Sequence, residues 1–350
     1  MEEEFVYTIE NGTARIDRVR CPEATVVIPE AIDGCPVTEL GAYVLADSPV
    51  EELYLPMGLR KIGAYGFYNC GQLRHIACGS RIRDLGAGVF AGTGGVEYLD
   101  ITIFEGDTSG FKELLSELRQ TLRVRIHPPE SRTKDGQEGE KKGSTGEARL
   151  IFPEYYEESV ENTPARILYI ETHGCGHRYR YCFSGTQFQY SDYDELFPHV
   201  KVQEPEALAV ELALGRLKYP QGLTEKYGRM YREYIKEHWH LAARLMMEVD
   251  GGKGKKGRKA KEGSNLDPGG IPWLVQEILE CGQSRDRDTA KEQGNPVLLQ
   301  EEAFSENTGQ EDQLRELTRM AQQAGDMEAV AWLMNFQHQR SVPGKRRFEL

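Results

Sequence analysis

Three segments of this chain can be written beneath one another: ELGAYVLADSPVEELYLP from Glu39, KIGAYGFYNCGQLRHIAC from Lys61 and DLGAGVFAGTGGVEYLDI from Asp84. Leu40, Ile62 and Leu85 align, as do Leu45, Phe67 and Phe90, with steps of 22 and 23. Val50, Leu73 and Val96 align, as do Leu53, Ile76 and Leu99, with steps of 23 and 23. Gly41, Gly63 and Gly86 also recur. Within one unit the gaps between Ile62, Phe67, Leu73 and Ile76 are unequal and fit neither the helix period nor strand alternation. Unequal gaps that recur faithfully between units define one coil of a solenoid. No coil can bury its inward side chains alone, so the coils must stack.

The unit LPMGLRKIGAYGFYNCGQLRHIAC, with its Ile62-Gly63 pair, Phe67 and Cys70, resembles the BspA-type leucine-rich repeat. FVYTIENGTARIDRV and ATVVIPEAIDGCPVTELG resemble the opening of such domains, so the resemblance covers residues 5–101. It runs on to Val124 and Ile126, where FKELLSELRQ is expected as a helix in place of the convex turn. The resemblance implies an α/β leucine-rich-repeat solenoid of short parallel strands and a role in protein binding, often at bacterial surfaces. It supplies no catalytic residues.

The formal net charge of −13 argues against nucleic-acid binding through bulk electrostatics. No apolar run is long enough for a membrane span. MEEEFVYTIENG has neither a basic n-region nor an apolar h-region, so a signal peptide is not expected and the bacterial cytoplasm is the expected location, with the cell surface as alternative. Seven scattered cysteines read as reduced thiols, with Cys70 and Cys78 as small buried side chains of the repeat.

Residues 1–127 read as the repeat domain. Residues 128–147, PPESRTKDGQEGEKKGSTGE, hold no aliphatic or aromatic side chain and read as a disordered linker. Residues 148–200 carry the strand-like runs ARLIF, ARILYIE and RYRYCF and read as a β-rich extension or cap of the solenoid. From 201 to 350 an α-helical domain is expected, with low-complexity insertions near 251–269 and 283–295. Tyr227, Tyr231, Tyr234, Ile235, Trp239, Ala242 and Leu245 form one apolar stripe, predicting a single helix over 224–249. IPWLVQEILECG predicts another.

LTRMAQQAGDMEAVAWLMNFQ, near the C-terminus, resembles the helix pair of an ankyrin-type repeat. Gly325 is expected to end the first helix in a left-handed conformation and Asp326 to cap the second. Leu314, Leu317 and Ala321 should line the inner stripe of the first helix, and Val330, Leu333 and Met334 that of the second.

HGCGHRYRYC offers His173, Cys175 and His177, and further on Cys182, as candidate zinc ligands. On a straight strand the first three share a face but splay apart, and no CxxC pair is present, so ordinary packing is expected and no metal or other cofactor is assigned. In EHWH, His238 and His240 lie about 200° apart around a helix and cannot chelate one ion together. No phosphate loop or nucleophile elbow occurs, so the chain does not read as an enzyme. The basic run KGKKGRKAK, 253–261, lacks interleaved aromatics and reads as a solvated insertion.

The expected function is a non-catalytic protein-protein interaction module, with a surface adhesin and a metal-dependent enzyme as rival classes. Its expected binding surface is the concave strand face: Glu52, Tyr54, His75, Ala77, Tyr98 and Asp100, with the two tyrosines as anchors. Four strands at about 4.8 Å spacing give about 14 Å of ladder, so the helical half is expected to share the binding.

Overall fold

The computed structural model describes residues 4–20, 23–129, 146–162, 167–250, 270–277 and 296–341. The expected linker and both low-complexity insertions, with the basic run 253–261, fall largely or wholly outside these residues. The chain divides into two compact units, Met1–Gly228 and Arg229–Leu350.

The first unit is a β-solenoid with short parallel strands. One sheet consists of β1 (Glu4–Glu10), β2 (Thr13–Arg20), β5 (Cys35–Leu40), β7 (Lys61–Ile62) and β9 (Asp84–Leu85), with β4 (Ala31–Ile32) paired to β5. The other consists of β3 (Thr25–Val27), β6 (Glu52–Tyr54), β8 (His75–Gly79), β10 (Tyr98–Thr102), β11 (Leu122–His127) and β12 (Ala148–Phe152). Helix α1 (Ser109–Glu117) takes the place of a turn in the last coil. The second sheet is parallel from β3 to β11, and β12 closes it antiparallel. Its six strands span about 24 Å at the usual spacing, longer than the four-strand ladder expected. Val26 and Leu150 were the ends that the repeat alignment did not reach.

Register explains the unequal spacing. Val26, Leu53, Ile76, Leu99, Val124 and Leu150 pair strand to strand in one inward row, and all are fully buried. Phe67 and Phe90 occupy the opposite wall of the core with ring centroids 5.5 Å apart. The recurring glycines sit where coil backbones nearly touch. A Cβ on Gly63 would lie 2.5 Å from the Ala42 nitrogen, and one on Gly86 would lie 2.6 Å from the Ala64 Cα. The recurring Cys70 and Thr93 serve the turns: the Cys70 thiol donates to the Leu45 carbonyl at 3.0 Å and the Thr93 hydroxyl to that of Phe67 at 2.6 Å.

After β12 the chain makes the hairpin β13 (Tyr156–Asn162) and β14 (Ile167–His173). RYRYCF, expected as a strand, instead begins in the short helix α2 (Gly176–Tyr179) and ends in a second hairpin, β15 (Phe183–Ser184) and β16 (Gln187–Phe188). The reason is local. Gly174 adopts φ +89° and bends the chain, and Arg180 turns inward. The buried Arg180 guanidinium donates to the carbonyls of Leu118, Gln120, Pro153 and Gly176. Those four bonds tie α1, β12 and α2 together, and a straight strand could not make them. Helices α3 (Tyr190–Glu195), α4 (Phe197–Gln203) and α5 (Glu206–Lys218) complete the unit, and α5 packs on β12.

The boundary between units falls within α6 (Glu225–Glu237). The single helix expected over 224–249 is interrupted at His238, which stacks on Tyr234 and places Nδ1 2.8 Å from the Tyr234 carbonyl. Helix α7 (Trp239–Asp250) then buries Ala242, Ala243, Met246 and Met247, while Trp239 and Leu245 of the expected stripe stay partly exposed. In the second unit α7 packs against α8 (Gly270–Val275) and α9 (Pro296–Ala324), and α9 forms a hairpin with α10 (Met327–Ser341). Gly325 has φ +77°, and the Asp326 carboxylate accepts the Ala329 N–H at 3.0 Å. Leu314, Leu317, Ala321, Ala329, Val330 and Leu333 are buried. Met334 is not: it is 57% exposed, because the inward stripe of α10 passes through Ala329 and Val330 to Leu333 and ends there.

Candidate protein-interaction face

Outward residues of the second sheet fall into two rows set by strand register. The first contains Thr25, Glu52, His75, Tyr98 and Arg123; the second contains Val27, Tyr54, Ala77, Asp100 and Arg125. All six residues read from the sequence lie in these rows. Each is half-buried, because neighbouring coils bring the outward side chains against one another.

The centre of the face is Asp100. Its Oδ2 lies 3.0 Å from His75 Nε2, and its Oδ1 lies 3.8 Å from His127 Nε2 and 4.0 Å from Arg125 Nε. Burial alone would raise the Asp100 carboxyl pKa. The nearby His127 ring, the hydrogen bond from His75 and the charge of Arg125 outweigh it and hold the group well below the usual carboxylate range. The Tyr54 ring meets His75 edge-on at 5.6 Å, and its hydroxyl donates to Glu52 at 3.3 Å.

Tyr98 is placed differently from Tyr54. The Arg123 guanidinium lies 5.8 Å from its ring centroid and is held by a bidentate pair with Glu211 of α5, at 2.7 and 2.8 Å. Burial, together with the charges of Glu97 and Glu211, raises the Tyr98 phenol pKa against the opposing pull of Arg123 and Arg125. Further along, Arg149 of β12 is buried and stacks 4.0 Å from the Tyr219 ring centroid. The β11–β12 end of the face is therefore braced from α5 and the turn after it, while Val27 at the other end is 54% exposed. Sequence reasoning missed Arg123, Arg125 and His127. Their signal was present: with Val124 and Ile126 inward, strand alternation turns these three outward.

The candidate zinc ligands diverge. His173 stacks on Tyr156 at 4.7 Å, the Cys175 thiol meets Glu204 at 3.1 Å, and His177 lies against Tyr155 and Tyr181. They do not share a strand face, since the bend at Gly174 separates them. Among the described residues no group of three or more His, Cys, Asp or Glu side chains is placed to hold a metal ion. Burial pushes the thiols of Cys78, Cys175 and Cys182 up to about 12, far from a reactive thiolate. On the solenoid edge a cleft of about 430 Å³ is lined by Arg60, Arg81, Arg83 and Phe104. Two of its cations are engaged already, Arg83 with Asp107 at 2.6 Å and Arg81 over the Phe104 ring.

Residues 34–113 match the family described as BspA type leucine rich repeat region (6 copies). Over that stretch the solenoid is a BspA-type leucine-rich-repeat region, and this class of repeat suggests a protein-binding scaffold. Among solved structures, a crystal structure of a T. pallidum leucine-rich-repeat protein shares 16% identity, covering 36% of this chain and 80% of that one with a TM-score of 0.22. No curated protein matches. Among the described residues no helix is long and apolar enough to cross a membrane.

Proposed function

We propose that the chain is a non-catalytic protein-interaction scaffold of the bacterial cytoplasm, and that its concave face holds a protein partner through Tyr54 and the residues around Asp100. One observation carries the reading. Glu52, Tyr54, His75, Asp100, Arg125 and His127 form a contiguous outward patch of aromatic and charged groups, preset by strand register before any partner arrives. A preorganised patch spends little further entropy on binding. The ladder of about 24 Å offers more of a standard interface than four strands would. The cytoplasmic setting is supported by the five described cysteines, all free thiols.

The test is capture from the native cell with the intact chain as bait. Wild type and Tyr54→Ala with His75→Ala are compared by quantitative mass spectrometry. Loss of a discrete set of proteins in the variant, with an unchanged circular-dichroism spectrum, is the expected result. Equal recovery from both baits removes the concave face from the interaction. Fractionation of the same cells separates the cytoplasmic reading from display at the surface.

A further inference from the structure

The hairpin of β13 and β14 stands outside the two sheets of the solenoid. Its two strands pair only with each other among the described strands, so both outer edges carry backbone groups without a strand partner. A lone two-stranded hairpin in water is marginal. Yet this one leaves apolar side chains in solvent: Leu168 is 68% exposed, Ile170 66% and Tyr156 60%.

Register sorts the side chains onto two faces. Ser159 pairs with Ile170 and Glu161 with Leu168 on one face; Glu158 pairs with Glu171 on the other. Two carboxylates directly opposite on adjacent strands repel each other. His173 is the nearest basic side chain, at 3.7 Å from Glu158 and 4.0 Å from Glu171, and of the hairpin carboxylates Arg119 reaches only Glu157. Glu161 has no ion pair among the described residues. The hairpin therefore combines open edges, uncovered aliphatic side chains and an excess of negative charge.

We infer that this hairpin is a docking element for an extended, basic segment of a partner protein that adds as a third strand, its apolar side chains meeting Leu168 and Ile170 on one face and its lysines or arginines meeting Glu158 and Glu171 on the other. Charge decides the occupant. A second copy would bring the same carboxylates against themselves, whereas a basic strand relieves the Glu158–Glu171 repulsion as it pairs. Strand addition supplies affinity through main-chain bonds and selectivity through alternate side chains. The inference names a partner chemistry for the scaffold reading above and rests on that reading, but it uses a different surface.

The probe is a fluorescent synthetic peptide alternating lysine with valine, titrated into the intact chain and followed by anisotropy. Saturable binding is expected, weakened at least about tenfold in Leu168→Ser with Ile170→Ser and in Glu158→Lys with Glu171→Lys. Tyr54→Ala should bind it as wild type does, so loss of the concave-face reading and loss of this one are told apart. The same peptide N-methylated at alternate residues cannot join a ladder and should not bind. Equal binding of the methylated peptide means charge attraction alone and overturns strand addition. Absence of binding, or binding unchanged by both hairpin variants, overturns the proposal. Hairpin-dependent self-association in sedimentation replaces the basic partner with a second copy and overturns it too. The Glu158→Lys with Glu171→Lys variant keeps the fold testable, because both positions are exposed and the swap exchanges one like-charge pair for another.

Discussion

Arg216 and Asp194 close on each other with neither side chain reaching solvent: Nε lies 2.8 Å from Oδ1 and Nη2 lies 2.9 Å from Oδ2. The guanidinium also donates to the carbonyls of Tyr219 and Gln221, so one buried cation locks α3, α5 and the following turn. Asp194→Ala removes the counter-charge and leaves the guanidinium buried, which should cost about 3–5 kcal/mol. Replacing both residues with apolar ones of similar volume should recover most of that loss. Urea midpoints by circular dichroism check this. The three tryptophans, Trp239, Trp273 and Trp332, all lie in the second unit and would not report it. A single variant as stable as wild type would show that the pair is dispensable.

Asp100 predicts an acid response. Its carboxyl is held below the range of an unfolded aspartate, near 3.9. The stability it contributes is complete above that value and is lost as pH falls toward the folded-state value. Asp100→Asn should therefore be less stable than wild type at about pH 6, and the gap should narrow at about pH 3. A gap that stays constant with pH would detach Asp100 from the acid response.

Gly325 joins α9 to α10 at φ +77°, and a β-branched side chain strongly disfavours that conformation. Gly325→Val should cost at least about 1 kcal/mol, and Asp326→Ala about 1 kcal/mol through loss of the bond to the Ala329 N–H. Tryptophan fluorescence suits these variants, since Trp332 lies within about two turns of the cap. Unchanged midpoints in both would mean that α10 holds its place without the turn.

The solenoid was legible because its signal is a register. Leu53, Ile76 and Leu99 recur at fixed steps, and the structure places them in one row. The helix replacing the turn before Leu122 was legible for the same reason: the inward columns resume at Val124. The segment after residue 152 was harder to read. Period alone made RYRYCF a strand, and nothing in it disclosed that Arg180 finds four carbonyl acceptors in distant elements. The six outward residues could be assigned by alternation. The placing of Arg123 beside Tyr98 could not, because it depends on Glu211, 88 residues from Arg123. Met334 was misplaced for a related reason: a borrowed helix-pair pattern set its face, and the real packing of α10 stops one residue earlier.

The reversal of direction at β12 has a consequence for how such a protein can change over evolutionary time. Every coil before it presents a parallel template that another coil of the same kind could continue. β12 runs the other way, and beyond it Ala148 bridges to Pro220, a residue with no N–H to offer a newcomer. Tandem duplication at this end would therefore produce a coil with nothing to stack on. The array can lengthen only by insertion between existing coils or at its open β3 end, so any gain or loss of a repeat would alter the concave face away from its braced end and leave that end as it is.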